Sequence, residues 1–405
     1  MPLKTRSVPI NLRQSGDSDA KILIYTHLRK SPYWHLSEKE GCWCYATYNH
    51  MYHPRAYIPL SKGGLLKEYE YLTKHVTMWN VAVERQIQIK GPDALKLANM
   101  LVTRDLDKCL PVNQARYVIL CDENGGIIND PVMLRVGKNE IWLSLSDTDV
   151  ALWAKGVNCK LGYDVTIQEI DVCPVQIQGP KSKALMQSLF GDRVLKVKYY
   201  GLWSTKLKGM DVIISRTGWS AEVGYEIYLK RATRDAEKLW NTIKKAGKKF
   251  NLKVIAPSHI RRLEAAILSC NQDMDIENNP FEVGLDRQVD FSKKDFIGKA
   301  ALKKIKKQGV KQKLVGLAIG GKPLTWYNTD FYIVKDKNGK TDVGYVTSAF
   351  YSPKLETNIA LAWLPNSHNK LGTALKVALP NERHPVNAVV VETPFVDPKK
   401  KIPAA

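Results

Sequence analysis

The stretches IQIKGPDALKLANML (87–101) and VQIQGPKSKALMQSLF (175–190) decide the reading of this chain, because they are two copies of one plan set 88 residues apart. In each, period-two alternation gives way to helical spacing directly after Gly-Pro. A strand, a corner and a helix are predicted in both, with Pro92 and Pro180 as first helical residues, where proline's missing N–H is least costly. A second shared feature follows each copy. YVILCDENGGIINDPVML (117–134) reads as strand, glycine turn and strand, with Asp130 on the returning strand. DVIISRTGWSAEVGYEIYLK (211–230) is built alike, with Glu226 in the corresponding place. Gly-Pro corners and glycine hairpins are common punctuation taken singly. Their recurrence in one order, each time with a carboxylate, predicts two related half-domains that face one another and offer one acid apiece to a shared cleft.

A chain of 405 residues exceeds one ordinary core, so two or three domains are expected. With 44% apolar and 25% charged residues it reads as globular. No run of eighteen apolar residues occurs and the N-terminus has no apolar signal core, which argues against a membrane span or secretion. Seven cysteines, odd in number and without CxxC spacing, fit reduced thiols in a cytoplasm. Cys42 and Cys44 with His50 and His53 match no usual zinc spacing, so no metal is expected. The formal charge of +21 gathers partly in lysine clusters at 244–249, 303–313 and 399–401, which read as solvated faces. No nucleic-acid-reading module is present; a cationic surface that attracts anionic small molecules is the more economical functional reading.

Residues 1–32 are polar and poorly patterned, an arm or a strand lying on a neighbour. Residues 33–60 are dense in Trp and Tyr, which suits a core plug, a homodimer contact or a pocket wall. Helical spacing recurs at 147–162, 233–250, 258–270 and 293–308, with Ser258 as a cap. From 313 onward, short alternating runs separated by Gly, Pro and Asn predict a small all-β barrel or sandwich. No dinucleotide or Walker loop, nucleophile elbow or HExxH is present.

Four polar positions stand out in the paired hairpins. Tyr117 and Asp130 flank one glycine turn, and Glu226 and Tyr228, two apart on a strand, point to one face. A carboxylate and a phenol on one strand face suit the donor edge of a flat heterocycle, with the second carboxylate at a reacting nitrogen. Trp219, in the second glycine turn, together with Tyr45, Tyr48 and Tyr52, is a candidate cage for a methylated onium ion.

The runs NGGIINDPV (124–132), SRTGWSAEVGYEIY (215–228), RRLEAAI (261–267), NPFEVGL (279–285), DFIGKAAL (295–302) and GYVTSAFYSPKLETNIALAWL (344–364) closely resemble the glycine-cleavage T-protein superfamily of tetrahydrofolate-dependent methyl and aminomethyl transferases. The resemblance implies an α+β fold, a three-domain cloverleaf of two related α+β domains and a C-terminal β-barrel-like domain. The domains would be 1–80 with 171–286, 81–170 with 287–312, and 313–405, with folate threading the central hole. Carried over by motif, Asp130 matches the acid beside folate N5 and Glu226 the residue that hydrogen-bonds the pterin. Tyr117 and Tyr228 match aromatic positions around the pterin, and Arg262 the arginine of the family's helix. VTMWNVAVERQIQIKGPDALKL (76–97), NDP (129–131) and GWS (218–220) look more like the dimethylsulfoniopropionate demethylase branch. That shifts the expected donor from a lipoyl-bound aminomethyl arm to a small methylated sulfonium or ammonium metabolite. An aminomethyltransferase working with a lipoyl carrier protein and a non-catalytic folate-binding protein are the alternatives. The iron–sulfur repair branch is disfavoured, because its Lys-Gly-Cys-Tyr-x-Gly-Gln-Glu motif is absent.

Overall fold

The computed structural model describes residues 26–380 and 382–405, so most of the arm expected at 1–32 lies outside the described residues. The first corner is a strand, Gln86–Lys90, turned at Gly91 into the helix Ala94–Leu101. The second is a strand, Val172–Gln178, turned at Gly179 into the helix Ser182–Phe190. Pro92 and Pro180 stand two residues before the helices and not at their first positions. Glycine and proline form a one-turn lead-in, closed by Ala94 N–H on Gly91 O at 3.1 Å and Ser182 N–H on Gly179 O at 2.9 Å, and regular helix begins only after it.

The glycines are required by close approach. Gly179 has φ +114°, and a Cβ there would stand 2.6 Å from the carbonyl oxygens of both Leu72 and His75. Gly91 has φ +148°, and its Cβ would stand 2.3 Å from Asp164 O.

Each corner strand belongs to its own antiparallel sheet. The five-stranded sheet runs Thr166–Glu169, Gln86–Lys90, Glu140–Ser144, Val132–Gly137, Gln114–Tyr117. The six-stranded sheet runs Leu202–Leu207, Met210–Ser215, Gly224–Lys230, Val172–Gln178, Thr77–Asn80 and, parallel to the last, Lys253–Val254. Alternation divides each sheet into two faces. Ile87, Ile89, Ile141 and Leu143 pack with Leu97 and Leu101 of the first helix. Val175, Ile177, Ile214 and Ile227 pack with Leu185, and with Leu239 and Trp240 of the amphipathic helix Ala232–Gly247. The intervening residues point the other way, and the sheets meet across them: Leu134 and Trp142 of one pack with Ile213 and Tyr228 of the other.

The C-terminal region closes into a six-stranded barrel of strands Gln312–Ile319, Thr357–Pro365, Asp342–Ser352, Tyr332–Lys335, Ala374–Val377 and Val386–Val391. One buried carboxylate ties it to the rest. Asp273 accepts from Arg262 Nη1 at 2.5 Å, from the barrel hydroxyls of Thr347 and Ser348 at 2.7 and 2.6 Å, and from Ser269 N–H at 2.9 Å. Arg262 belongs to the short helix His259–Glu264, which Ser258 caps through its hydroxyl on Arg261 N–H at 3.3 Å. Among the described residues, no helix is long and apolar enough to cross a membrane.

Replacing Gly179 by Ala should lower stability by about 2–3 kcal/mol, since it adds both a strained φ and a contact with two backbone oxygens that cannot yield. Scanning calorimetry checks this; an unchanged melting temperature would show that the corner can relax.

Candidate functional site

Besides the residues of this apolar contact, the inner face of the six-stranded sheet carries polar side chains. Gln176, Glu226 and Ser215 form one row across the six-stranded sheet, because Gln176 pairs with Glu226 and Glu226 with Ser215 in register. Glu226 is 3% exposed and well supplied with donors. Its Oε1 accepts from Gln176 Nε2 at 2.7 Å, and its Oε2 accepts from Thr217 Oγ1 at 2.5 Å and Tyr228 Oη at 2.9 Å. Glu226 and Tyr228 therefore share a face, and the Tyr228 ring is sealed into the contact between the sheets.

Sequence reasoning missed the partner of Glu226. Glu84, in the turn ahead of the first corner strand, reaches toward the same place: Ser144 Oγ donates to its Oε2 at 2.9 Å, and Gln176 Nε2 bridges to its Oε1 at 3.4 Å. Burial first, and then the charge of Glu226, push the Glu84 carboxyl well above the usual carboxylate range. Burial likewise raises Glu226, against the pull of Thr217, Tyr228 and Gln176. Two carboxyls so placed do not both ionise readily, and no described cation pairs with either. Followed directly by Arg85 in NVAVERQI, Glu84 carries no local signal that separates it from an ordinary charged turn residue.

Asp130 departs from the expected hairpin. The segment splits into two pairings, Gln114–Tyr117 with Val132–Gly137 and Leu120–Cys121 with Ile127–Asn129, and Asp130 lies in the break between them. Pro131 explains the break, having no N–H to give to a ladder. The loop is pinned instead by Asn129, whose Nδ2 donates to Ser146 O at 3.0 Å and Thr148 Oγ1 at 2.7 Å. Asp130 is 7% exposed. Its Oδ2 accepts from Tyr117 Oη at 2.8 Å, while Oδ1 has no hydrogen-bond partner. Burial pushes this carboxyl up to about 6, with the hydroxyls of Ser146 and Tyr117 pulling it back.

Tyr48 is influenced by both acids. After burial and the Cys270 thiol, Asp130 and Glu84 both push its hydroxyl well above the normal range, so the phenol stands within electrostatic reach of each. The other candidate tyrosines are not brought to it. Strands Cys44–Tyr48 and Met51–Ala56 pair with Thr47 opposite Tyr52 and Ala46 opposite His53, so alternation sends Tyr45 and Tyr52 to one face and Tyr48 and His53 to the other. Tyr45 and Tyr52 pack edge to face at 5.8 Å and cluster with Trp34, whereas the Tyr48 ring lies 5.4 Å from His53. A single cage of all three with Trp219 does not form. Trp219, expected to present an exposed face, is half-buried, edge-on to His259 at 5.6 Å, with the Arg262 guanidinium over its ring at 5.6 Å. Arg262 is wholly buried; besides Asp273, it donates to Ser348 Oγ at 2.7 Å, which leaves Nε as its unpartnered nitrogen.

The family model of the GCVT N-terminal domain matches residues 34–293, and that of the glycine cleavage T-protein C-terminal barrel domain matches 312–397. The chain belongs to the glycine cleavage T-protein family. It is 34% identical to dimethylsulfoniopropionate demethylase DmdA of Ruegeria pomeroyi over 91% of this chain and 98% of that one. It is also 32% identical to the aminomethyltransferase of Caldanaerobacter subterraneus subsp. tengcongensis, over 84% of this chain and 89% of that one. The crystal structure of glycine cleavage system aminomethyltransferase T from Bartonella henselae superposes with a TM-score of 0.79 at 22% identity, covering 91% of this chain and 98% of that one. The three-domain α+β architecture of the T-protein family, barrel included, is thus that of this chain. Like its relatives, this T-protein family member is a one-carbon transferase.

The raised Asp130 carboxyl predicts a pH-dependent stability difference. A carboxyl that titrates near 4 unfolded and about 6 folded favours the fold while protonated, and this contribution is lost as pH rises through that window. Asp130→Asn, which keeps an acceptor for Tyr117, should therefore match wild type near pH 4 and exceed it by ~1–3 kcal/mol at pH 8. Denaturant titrations at the two pH values check this; equal stabilities at pH 8 would show that Asp130 ionises freely.

Proposed function

We propose that this enzyme moves a methyl group from a small methylated sulfonium or ammonium metabolite, such as dimethylsulfoniopropionate, to N5 of tetrahydrofolate. The observation that carries the reading is the set of buried carboxylates without counter-cations: Asp130 with an open oxygen, and Glu84 beside Glu226. Such groups are costly to bury unless a ligand brings N–H donors or positive charge to them. A pterin edge is rich in N–H donors, and a methyl onium supplies the charge, so the residues suit both. The similarity to the demethylase along nearly its whole length favours the free methylated donor. The similarity to aminomethyltransferases keeps a lipoyl-bound aminomethyl donor as the second reading.

Tetrahydrofolate, when bound, supplies the secondary amine that displaces the methyl group. Asp130 meets the positive charge that arrives with the methyl group and takes the proton the amine must lose, a role for which a carboxyl titrating about 6 is well matched near neutrality. Tyr117 orients Asp130 through the 2.8 Å bond. Glu226, braced by three donors of which Tyr228 is one, and Glu84 accept pterin N–H groups, while Tyr117 flanks the ring. Tyr48 and Trp219 are the aromatic candidates for the methylated end of the donor. A sulfonium leaves as a neutral sulfide, so the donor side needs no acid. Much of the acceleration then comes from holding the reactants in line.

Incubation with tetrahydrofolate and dimethylsulfoniopropionate, with folate products followed by mass, should give 5-methyltetrahydrofolate without any carrier protein. Formation of 5,10-methylenetetrahydrofolate only with a lipoylated carrier would select the second reading. Asp130→Asn should lower kcat by ~10²–10⁴-fold and change the tetrahydrofolate Kd far less. Glu226→Ala should weaken tetrahydrofolate about tenfold or more by calorimetry, through loss of a charge-assisted acceptor; an unchanged Kd in the folded variant would remove Glu226 from the site.

A further inference from the structure

A cavity of about 420 Å³ has a lining that includes Arg55, Asn271, Gln272, Tyr327, Asn328 and Asp330. Arg55 is its cation. The guanidinium lies over the Tyr327 ring at 4.1 Å, and the Tyr327 hydroxyl donates to Arg55 O at 2.9 Å, so side chain and backbone are both held against one residue. No carboxylate pairs with Arg55 among the described residues. An arginine held over an aromatic ring by its guanidinium carbon still has N–H groups for a bidentate acceptor. The amide N–H groups nearby are engaged elsewhere: Gln272 Nε2 donates to Thr347 O at 3.1 Å, and Asn328 Nδ2 donates to Thr347 O at 3.0 Å and Asp330 O at 3.1 Å. Asp330 itself accepts from Thr329 Oγ1 at 3.4 Å.

The strand Met51–Ala56 orients this group. Arg55 and His53 are two apart and share a face, with Cα atoms ~6.6 Å from one another, and the His53 ring is 5.4 Å from Tyr48. Following that face from Arg55 leads past His53 to Tyr48, the phenol that feels both Asp130 and Glu84. The other cations at this corner are matched or neutral. Arg262 is paired with Asp273, and burial, with the Arg55 charge second, pushes His53 and His259 well below the usual imidazole range. That face therefore runs from a guanidinium toward carboxyls, the opposite charges that a zwitterion carries.

We infer that Arg55 anchors the carboxylate of the methyl donor, so that the enzyme takes a zwitterion whose onium end lies toward Tyr48 and Glu84; this rests on the methyl-transfer reading above. The test uses matched probes: dimethylsulfoniopropionate against trimethylsulfonium, and trimethylglycine against tetramethylammonium, titrated calorimetrically into wild type, Arg55→Met and Arg55→Lys, with and without tetrahydrofolate. Wild type should bind at least one acid about tenfold or more tighter than its carboxylate-free counterpart. Arg55→Met should lose that preference while keeping its melting temperature and tetrahydrofolate affinity, and Arg55→Lys should retain part of it through charge alone. The inference is overturned if wild type shows no acid preference in either pair, or if Arg55→Met keeps it. It is equally overturned if Arg55→Met weakens tetrahydrofolate but not tetrahydropteroate, because the guanidinium would then serve the glutamate of folate. Failure of wild type to bind tetrahydrofolate would sink the methyl-transfer reading instead, and the acid preference measured without folate would still decide the anion site.

Discussion

The arrangement of the three parts depends on the buried carboxylate of Asp273. It sits between a helix of one half-domain, through Arg262, and a barrel strand, through Thr347 and Ser348, and its own backbone oxygen accepts from Trp363 Nε1 at 3.0 Å. Both members of the ion pair are fully buried, so neither can be removed alone without leaving a charge in an apolar medium. The same carboxylate adds a small push to Asp130. One group thus joins the barrel to the half-domains and contributes to the field at the acid in the cleft.

The cleft has the opposite economy. Its carboxyls are supplied with hydroxyl and amide donors but with no cation, which leaves burial as the dominant influence on each. A structural ion-pair network would have matched its charges, as the Arg262–Asp273 pair does. Here the acids stand on inward-facing positions with hydrogen-bond donors and no counter-charge, the environment in which burial raises a carboxyl most.

Much of this was legible in the sequence because the chain says it twice. Two Gly-Pro corners with the same flanking periodicity gave two sheets with helices on their outer faces, and the parity of Glu226 and Tyr228 gave their common direction. Parity also held information that composition obscured. Tyr45 and Tyr48 are three apart on one strand, so they had to face opposite ways; aromatic density alone suggested one cage. Asp130 was expected on a returning strand and lies instead in a break, since Pro131 interrupts the ladder that the alternation implied. Glu84 and Arg55 could not be read locally. Each acquires meaning from partners far along the chain, Gln176 and Glu226 for one and Tyr327 for the other.

The two halves, alike in plan, differ in how they hold their acids. Glu226 is carried mid-strand, bonded on both sides by neighbouring strands and gripped by three donors, so its position is fixed to that of a whole sheet. Asp130 hangs in a two-residue gap, with one oxygen tethered and the other open. The repeat has therefore been specialised mechanically as well as chemically. One acid is registered to the pleat of a continuous sheet, whereas the other is set by a proline interruption and by the contacts of its own loop, so a shift of strand register would displace the first and leave the second in place.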